Sequence, residues 1–158
     1  MNIDFQNKDN KDFYCLWSKI TTLSVVYFTQ TIPFLFQVRK ILLKHGERER
    51  EIFQYHYDDW PAVSLPHPNS IIQFRRRLRD DLATRNRWAD VGPPVIHCSD
   101  GGGRSSTFLA IDINLRLADT KKLVDVFGTV RALRDQRVGM VGNPDQYRFI
   151  YDVIEDYL

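Results

Sequence analysis

The chain has 158 residues, of which 43% are hydrophobic and 27% are charged, and its formal net charge at pH 7 is +2. This composition is typical of one globular domain, it excludes a disordered chain, and the net charge is too small to indicate a nucleic-acid partner. The two cysteines, Cys15 and Cys98, do not make a disulfide framework and favour a reduced, cytoplasmic setting. The sequence predicts no cofactor and no metal ion.

The N-terminal residues 1–30 are predicted to form a tail and an irregular segment that precede one domain over residues 31–158. The first dozen residues are rich in Asn, Asp and Lys, which predicts a loose tail. Residues 20–38 carry no charge over 19 positions, but seven of these are Thr, Ser or Gln and Pro33 interrupts the run. A membrane-spanning helix is therefore disfavoured, and Val25–Phe28 favours a strand.

Two strands and a helix are predicted in the middle of the chain. Phe36–Leu43 and Ile52–Tyr57 have strand-like patterns, and the pair His45-Gly46 between them indicates a hairpin. The segment Trp60–Pro68 contains three prolines, so it cannot be helical throughout. The helix that follows is predicted from apolar residues at helical spacing after a cap at Asn69 or Ser70. These apolar residues are Ile71, Phe74, Leu78 and Leu82.

Four arginines on this helix form a basic run, at positions 75, 76, 77 and 79. The run predicts a solvated helix face. The alternative is a binding patch, whose partner would be an acidic phosphopeptide or an anionic membrane surface.

The C-terminal half is predicted to contain one strand and three helices. The strand is Pro94–Cys98, and the first helix runs from Ser105 to Leu117. The last helix begins at Asn143-Pro144, a cap followed by proline at the first helical position. Strands followed by helices around a central strand predict an α/β fold with a mixed sheet. The second helix is predicted to bury Leu123, Val126, Phe127, Val130 and Leu133, and the last helix Tyr147, Ile150, Tyr151 and Ile154.

The strand ending at Cys98 leads into a glycine-rich stretch that suits attack on a phosphate ester. Residues 95–107 read Val-Ile-His-Cys-Ser-Asp-Gly-Gly-Gly-Arg-Ser-Ser-Thr. The glycines allow successive backbone N–H groups to turn inward as an anion nest, and the following helix points its positive end at the same place. Arg104 can bind two phosphate oxygens, and the positive field stabilises the Cys98 thiolate.

Several of these residues also have a plainer interpretation. The whole stretch could be a glycine-rich surface turn with an unrelated cysteine, although a Walker-type phosphate loop is excluded because no Gly-Lys-Ser/Thr follows. His97 could tune the cysteine or be a core histidine. Ser105 could bond the thiolate or simply cap the helix. Asp100 opposes phosphate by charge unless its side chain bonds local backbone, which we favour.

Residues 95–107 resemble the His-Cys-x5-Arg-Ser/Thr signature of the protein tyrosine phosphatase family. Residues 36–60 are similar to the strand pair before that family's Trp-Pro-Asp loop, and residues 123–154 are similar to its closing helices. The sequence of residues 123–154 is most similar to that of the membrane-distal second domains of receptor-type members. The sequence Ser-Asp-Gly after Cys98 and the sequence Trp-Pro-Ala at 60–62 resemble the corresponding stretches of receptor-like members that are regarded as inactive. The resemblance implies a highly twisted mixed sheet flanked by helices, with residues 31–158 as the C-terminal part of the domain.

The resemblance also implies roles for individual residues. Cys98 would be the nucleophile, Arg104 and the backbone of Ser99, Asp100, Gly101, Gly102 and Gly103 would hold the phosphoryl oxygens, and Ser105 would assist the departure of the thiolate. Gln146 matches the second glutamine of the family's water-positioning loop. Two positions depart from the family. Ala62 replaces the acid that protonates the leaving oxygen, and Gly142 replaces the leading glutamine.

Two functions are therefore expected. One is dephosphorylation of phosphotyrosine through a cysteinyl-phosphate intermediate, impaired because Ala62 cannot donate a proton. The other is a pseudophosphatase that binds phosphotyrosine, or a partner phosphatase domain, and turns over little. A structural remnant without a ligand is a third reading. The expected partner is a phosphotyrosine-containing protein or peptide and not a nucleic acid. The expected location is cytoplasmic, as a free protein or as the intracellular part of a receptor, and no membrane anchor is evident.

Overall fold

The computed structural model describes residues 2–5, 24–32, 36–61, 64–85 and 93–158. Contacts divide the chain into two compact units, one from Asp59–Arg77 and Ile96–Leu158 and the other from Asn2–Asp58 and Leu78–Val95. The predicted α/β class is confirmed, with a sheet and long helices. Cys15 and Ala62, which the sequence singled out, lie outside the described residues.

The sheet unit is built on the predicted hairpin. β3 (Phe36–His45) and β4 (Arg48–Tyr57) pair antiparallel from Phe36↔Tyr57 to His45↔Arg48, and Gly46 takes a positive φ of 60° in the turn. Both strands are longer than the sequence pattern predicted. Two cross-strand ion pairs stabilise the ladder, Lys44 with Glu49 near the turn, beyond the predicted strand ends, and Lys40 with Glu51 closer to the middle.

Two further strands belong to this unit. β1 (Asn2–Phe5) pairs antiparallel with β4, and β2 (Ser24–Ile32) pairs antiparallel with β3. β5 (Pro94–His97), whose first two residues belong to the same unit, is the outer strand in the order β2-β3-β4-β1-β5. The predicted strand Val25–Phe28 is thus present. β1 lies within the predicted tail and irregular segment, whereas β2 extends across residue 30, and the division at residue 30 stays a prediction.

The predicted helices are all present. α1 spans Pro68–Arg85, α2 Arg104–Lys121, α3 Val126–Gln136 and α4 Pro144–Tyr157. In α4 the side chain of Asn143 accepts a hydrogen bond from the Gln146 N–H, which confirms the predicted cap. The predicted cap of α1 is wrong, since Asn69 and Ser70 already lie inside the helix and donate to His67.

The helical unit has an aromatic core. Phe74 of α1 packs edge-on against Phe108 of α2 with ring centroids 5.5 Å apart, and Trp60 packs against Phe149 of α4 at 5.9 Å. All four apolar positions predicted for α1 are buried. The exposed faces of α3 and α4 differ from prediction. Five of the positions predicted to be buried are buried, namely Val126, Val130, Leu133, Ile150 and Ile154, and Phe149 and Val153 join them. The prediction is wrong for Leu123, which precedes α3, and for Phe127 and Tyr151, which are 53%, 67% and 46% exposed, and Tyr147 is only half-buried.

The basic run on α1 is not uniformly solvated. Arg75 is buried, and its Nε lies 2.8 Å from Oδ1 of Asp112 on α2. Its Nη2 lies 3.8 Å from Asp119, and its guanidinium lies over the ring of Tyr157. The prediction of a solvated face is therefore wrong for Arg75, which is an internal ion-pair residue of the helical unit.

Candidate active site

The signature loop, Cys98–Gly103, connects the end of β5 to the start of α2. Cys98 is a free, half-buried thiol directly after the strand. Gly101 has a positive φ of 76°, a conformation that side chains disfavour, so glycine is required at this turn. The loop delivers its last residues to the N-terminus of an 18-residue helix, where backbone N–H groups lack intrahelical partners.

The sulfur of Cys98 is held by backbone and hydroxyl donors. The N–H of Gly101 donates to Sγ over 3.2 Å. Partial burial acts to raise the pKa of Cys98, but hydrogen bonds from the hydroxyl and N–H of Ser105, and from the N–H groups of Asp100 and Gly101, outweigh it and bring this pKa below its ordinary value. A lowered thiol pKa increases the fraction of thiolate, which is the nucleophilic form.

Ser105 is the second residue of α2 and is buried. Within the described part of the chain, its Oγ has no hydrogen-bond partner of standard geometry, although the hydroxyl contributes to the low pKa of Cys98. A buried hydroxyl without a fixed partner is unusual. The arrangement leaves the Ser105 hydroxyl available to bond the sulfur once it is a thiolate.

Asp100 turns its carboxylate onto the loop itself. Its Oδ1 accepts hydrogen bonds from the N–H of Gly102 over 3.2 Å and from the thiol of Cys98 over 3.4 Å. These two bonds, the Cys98 bond first, lower the pKa of Asp100. The favoured interpretation, that Asp100 bonds local backbone, is confirmed. As a consequence, the Gly102 N–H of the loop already donates its hydrogen bond to the Asp100 carboxylate.

A neighbouring segment braces the signature loop from behind. The carbonyl of Gly102 accepts from the N–H of Val141 over 3.0 Å and also from the hydroxyl of Ser106. The Val141 N–H lies 2.7 Å from Oγ of the same serine. Val141 is fully buried and holds a positive φ of 54°, which is rare for a β-branched residue. Sequence reasoning missed this brace, because it joins positions far apart in the chain.

Two further side chains contact the loop. A Cβ added at Gly103 would lie 3.0 Å from Nε2 of Gln146, so the Gln146 amide packs against the loop, and its Oε1 accepts from the N–H of Gly142 over 2.9 Å. A Cβ added at Gly101 would lie 2.5 Å from Nη1 of Arg137, so this guanidinium lies against the nest. Gln146 was predicted as a site residue. Arg137 was missed, and its position in the family-like closing segment was the only available signal.

Arg104 begins α2 and lines a cavity of about 400 Å³. The cavity is also lined by Trp60, Leu65, Asp145, Gln146 and Arg148. Ser99 is exposed at the surface of the loop, and Gly142 is exposed beside Gln146. The structure thus brings Gln146 to the signature loop and to the Arg104 cavity.

In the part of the chain that the structure describes, His, Cys, Asp and Glu form no group of three that is suited to bind a metal ion. None of the helices in the described ranges combines the length and apolar character that crossing a bilayer requires.

Known proteins similar to this chain are named as tyrosine phosphatases. A sequence model described as protein-tyrosine phosphatase matches residues 5–156. Two relatives bear the provisional name receptor-type tyrosine-protein phosphatase mosPTP-1. The relative from Culex quinquefasciatus is 34% identical over 151 residues, or 93% of this chain, and that from Aedes aegypti is 34% identical over 141 residues, or 84%. The chain spans only 10% of the length of each relative.

Proposed function

Because the chain belongs to the protein-tyrosine phosphatase family, we propose that its signature loop binds the phosphate of phosphotyrosine and that Cys98 transfers the phosphoryl group slowly. The observation that carries this proposal is the sulfur of Cys98, held by the Gly101 N–H with a lowered pKa at the N-terminus of α2. That arrangement supports a thiolate beside donors that suit phosphoryl oxygens.

The proposed reaction has two steps. The Cys98 thiolate attacks phosphorus, the S–P bond forms, and the bond from phosphorus to the tyrosine oxygen breaks with its electron pair on the phenolate. Water then attacks the phosphorus, the S–P bond breaks, inorganic phosphate leaves and the thiolate returns. Arg104 and the loop N–H groups stabilise the charge on the phosphoryl oxygens in both steps. Ser105 stabilises the departing thiolate in the second step.

Turnover is expected to be slow for two reasons. Ala62 has no proton to give, so the phenolate of a tyrosine, whose pKa is about 10, leaves unprotonated at a cost of about 10² to 10⁴ in rate. Gly142 has no side chain to position the attacking water, which leaves this role to Gln146, whose amide packs against the loop at Gly103. Both losses act on the transition states, so binding is preserved better than catalysis.

A second candidate is a pseudophosphatase that binds phosphotyrosine, or another phosphatase domain, with little turnover. One observation favours it. The Asp100 carboxylate accepts from the Gly102 N–H and lies 3.4 Å from Cys98 Sγ. In the thiolate state this pair carries two like charges, which disfavours both the thiolate and a bound phosphate.

The proposed partner in both cases is a phosphotyrosine-containing protein or peptide. The proposed location is the cytoplasm, either as a free protein or as the intracellular part of a receptor, since the relatives bear a receptor-type name. Residues 31–158 are proposed to form the phosphatase-like part of the chain.

The two candidates are separated by comparing two substrates with one binding measurement. Hydrolysis of an activated aryl phosphate needs little leaving-group protonation, whereas hydrolysis of a phosphotyrosine peptide needs it fully. Activity on the activated ester that is lost in Cys98→Ser, with weak activity on the peptide, supports the slow enzyme. Peptide affinity in Cys98→Ser, together with no hydrolysis of either ester by the unmodified protein, supports the pseudophosphatase. Neither hydrolysis nor affinity would refute both.

A further inference from the structure

A second cavity lies between α3 and α4 and is separate from the one that Arg104 lines. It has a volume of about 590 Å³, and its walls include Phe127, Val130, Pro144 and Tyr147. Phe127 is 67% exposed, and the ring of Tyr147 packs edge-on against the exposed Tyr151 with centroids 5.6 Å apart. We call this cavity the α3–α4 groove. An apolar groove with a large exposed aromatic side chain is a feature of binding surfaces.

The α3–α4 groove adjoins the candidate active site. Asn143 lines both the groove and the cavity that contains Arg104 and Gln146. A chain segment bound at one cavity therefore reaches the other within a short stretch. This continuity favours an occupant that belongs to the same ligand whose phosphate the signature loop would bind.

Charge on α3 indicates the composition of that ligand. Arg131 and Arg134 line the groove together with one acidic residue, Asp135. Arg131 is exposed, while Arg134 donates from Nε and Nη2 to the carbonyls of Met140 and Val141. Three positions after Arg134, Arg137 lies against Gly101 of the signature loop. Arginines thus follow α3 from the groove to the nest, which complements an acidic segment.

We propose that the α3–α4 groove is a substrate-docking subsite that takes one apolar side chain from the segment flanking phosphotyrosine, with an acidic residue of that segment against Arg131. The proposal rests on the proposed phosphotyrosine-binding function and specifies the substrate class. The preferred ligand is a phosphotyrosine peptide that carries a leucine- or phenylalanine-sized residue and an acidic residue on the same side. Burial of this apolar side chain supplies affinity, and the arginine supplies orientation and on-rate.

The test uses synthetic peptides and the full chain with Cys98→Ser, so that phosphate is not consumed. A single leucine is moved stepwise along an alanine-rich peptide on either side of phosphotyrosine, with and without a neighbouring glutamate, and affinity is measured by fluorescence anisotropy. At one position, the peptide with leucine should bind about 5- to 10-fold more tightly than the peptide with alanine. Phe127→Ala should abolish that preference, and Leu123→Ala, at an exposed apolar position outside the groove walls, should leave it intact.

A parallel pair of variants tests the charge. Arg131→Ala should remove the preference for glutamate and its salt dependence, whereas Arg116→Ala, an exposed arginine on α2, should not. All four substituted positions are exposed, so folding is expected to be retained, which the unfolding midpoint checks.

Several outcomes would overturn the proposal. Phosphopeptides that bind equally well to the Cys98→Ser parent and to its Phe127→Ala variant, at every leucine position, would refute the docking subsite while leaving the proposed function intact. Equal binding of the unphosphorylated leucine peptide would show that the groove is independent of the active site. A dimer that Phe127→Ala dissolves, seen by sedimentation, would show that a second copy covers the groove. No binding of any phosphopeptide would instead refute the proposed function itself.

Discussion

In the signature loop, the Oδ1 of Asp100 lies 3.2 Å from the backbone nitrogen of Gly102 and accepts its hydrogen bond. In the proposed binding mode, a phosphoryl oxygen would accept a hydrogen bond from the same N–H group. The Asp100 carboxylate would then compete with the ligand, both by occupying this donor and by its negative charge.

The first prediction concerns this competition. Asp100→Ala should raise the affinity for a phosphotyrosine peptide by about 10- to 100-fold, because it frees a donor for a charged acceptor and removes a like charge. Affinity is measured by calorimetry in the Cys98→Ser background. Asp100→Asn is the matched control, since it keeps a hydrogen-bond acceptor for Gly102 but loses the charge, and it should give a smaller gain. An unchanged affinity in Asp100→Ala would contradict the competition.

The second prediction concerns the Cys98 thiolate. In a Cys15→Ser background, the rate of alkylation by iodoacetamide should reach its half-maximum below the pH of about 8.5 expected for an ordinary cysteine. Ser105→Ala should move this midpoint upward, because the Ser105 hydroxyl lowers the pKa of Cys98. Ser99→Ala is the control, since the exposed Ser99 side chain does not contribute to the shift. A midpoint at the ordinary value in the parent protein would remove the basis for a nucleophile.

The sign of the accompanying stability change follows from linkage. Between the lowered folded-state pKa and the ordinary unfolded-state pKa of Cys98, the unfolded chain binds more protons, so the free energy of unfolding rises with pH in that window. The stability that the Cys98 thiolate contributes is therefore fully present above the unfolded-state pKa and is lost as the pH falls through the folded-state pKa. Cys98 is only half-buried, so solvent screening keeps this change small.

The third prediction concerns the missing acid. Ala62→Asp should raise the hydrolysis rate of a phosphotyrosine peptide by at least about 10-fold, with the 10² to 10⁴ that a well-placed general acid contributes as the upper range. The rate on an activated aryl phosphate should change little, because its leaving group needs no proton. The steady-state rates of both esters are measured side by side, with Ala62→Asn as the control that adds a polar side chain without an ionisable proton. Equal gains on both esters would show that the aspartate acts on binding instead of protonation.

Local sequence pattern was sufficient for most of the fold. The hairpin and the helices were predicted because apolar spacing and turn residues act over a few positions. Burial on α3 and α4 was predicted less well. Phe127 and Tyr151 are apolar at plausible helical spacing, yet a neighbouring stripe faces the core, and a shift of one position on a helix turns a side chain by about 100°. Pattern alone does not fix which of two adjacent stripes is inside.

The candidate site, like the fold, could be predicted from the sequence only in part. Cys98, Asp100 and the three glycines lie in one continuous stretch, so their proximity follows from the sequence. The contacts of Val141 with Gly102 and of Arg137 with Gly101 join this stretch to a segment more than thirty residues away. Nothing in the local pattern indicates such pairs. The same holds for Arg75, whose charge predicted exposure until its partner Asp112 on another helix was known.

The fourth prediction concerns that internal ion pair. The side chains of Arg75 and Asp112 are only 6% and 11% exposed, so Asp112→Ala leaves a buried guanidinium without its nearest carboxylate. The free energy of unfolding should fall by about 3–5 kcal/mol, whereas the double variant Arg75→Met with Asp112→Leu should recover much of the loss by apolar packing. Urea unfolding followed by circular dichroism gives both values. Glu49→Ala breaks a sheet-surface pair whose side chains are 42% and 52% exposed and should cost less than about 1 kcal/mol.

The alternative result has a specific structural meaning. Asp119 lies 3.8 Å from Nη2 of Arg75 and also accepts a hydrogen bond from the Tyr157 hydroxyl. If Asp112→Ala costs no more than Glu49→Ala, then Asp119 must close on Arg75 and replace the lost carboxylate. Adding Asp119→Ala to Asp112→Ala would then give the large decrease in the free energy of unfolding. In that double variant, both α2 carboxylates that lie near the Arg75 guanidinium would be gone.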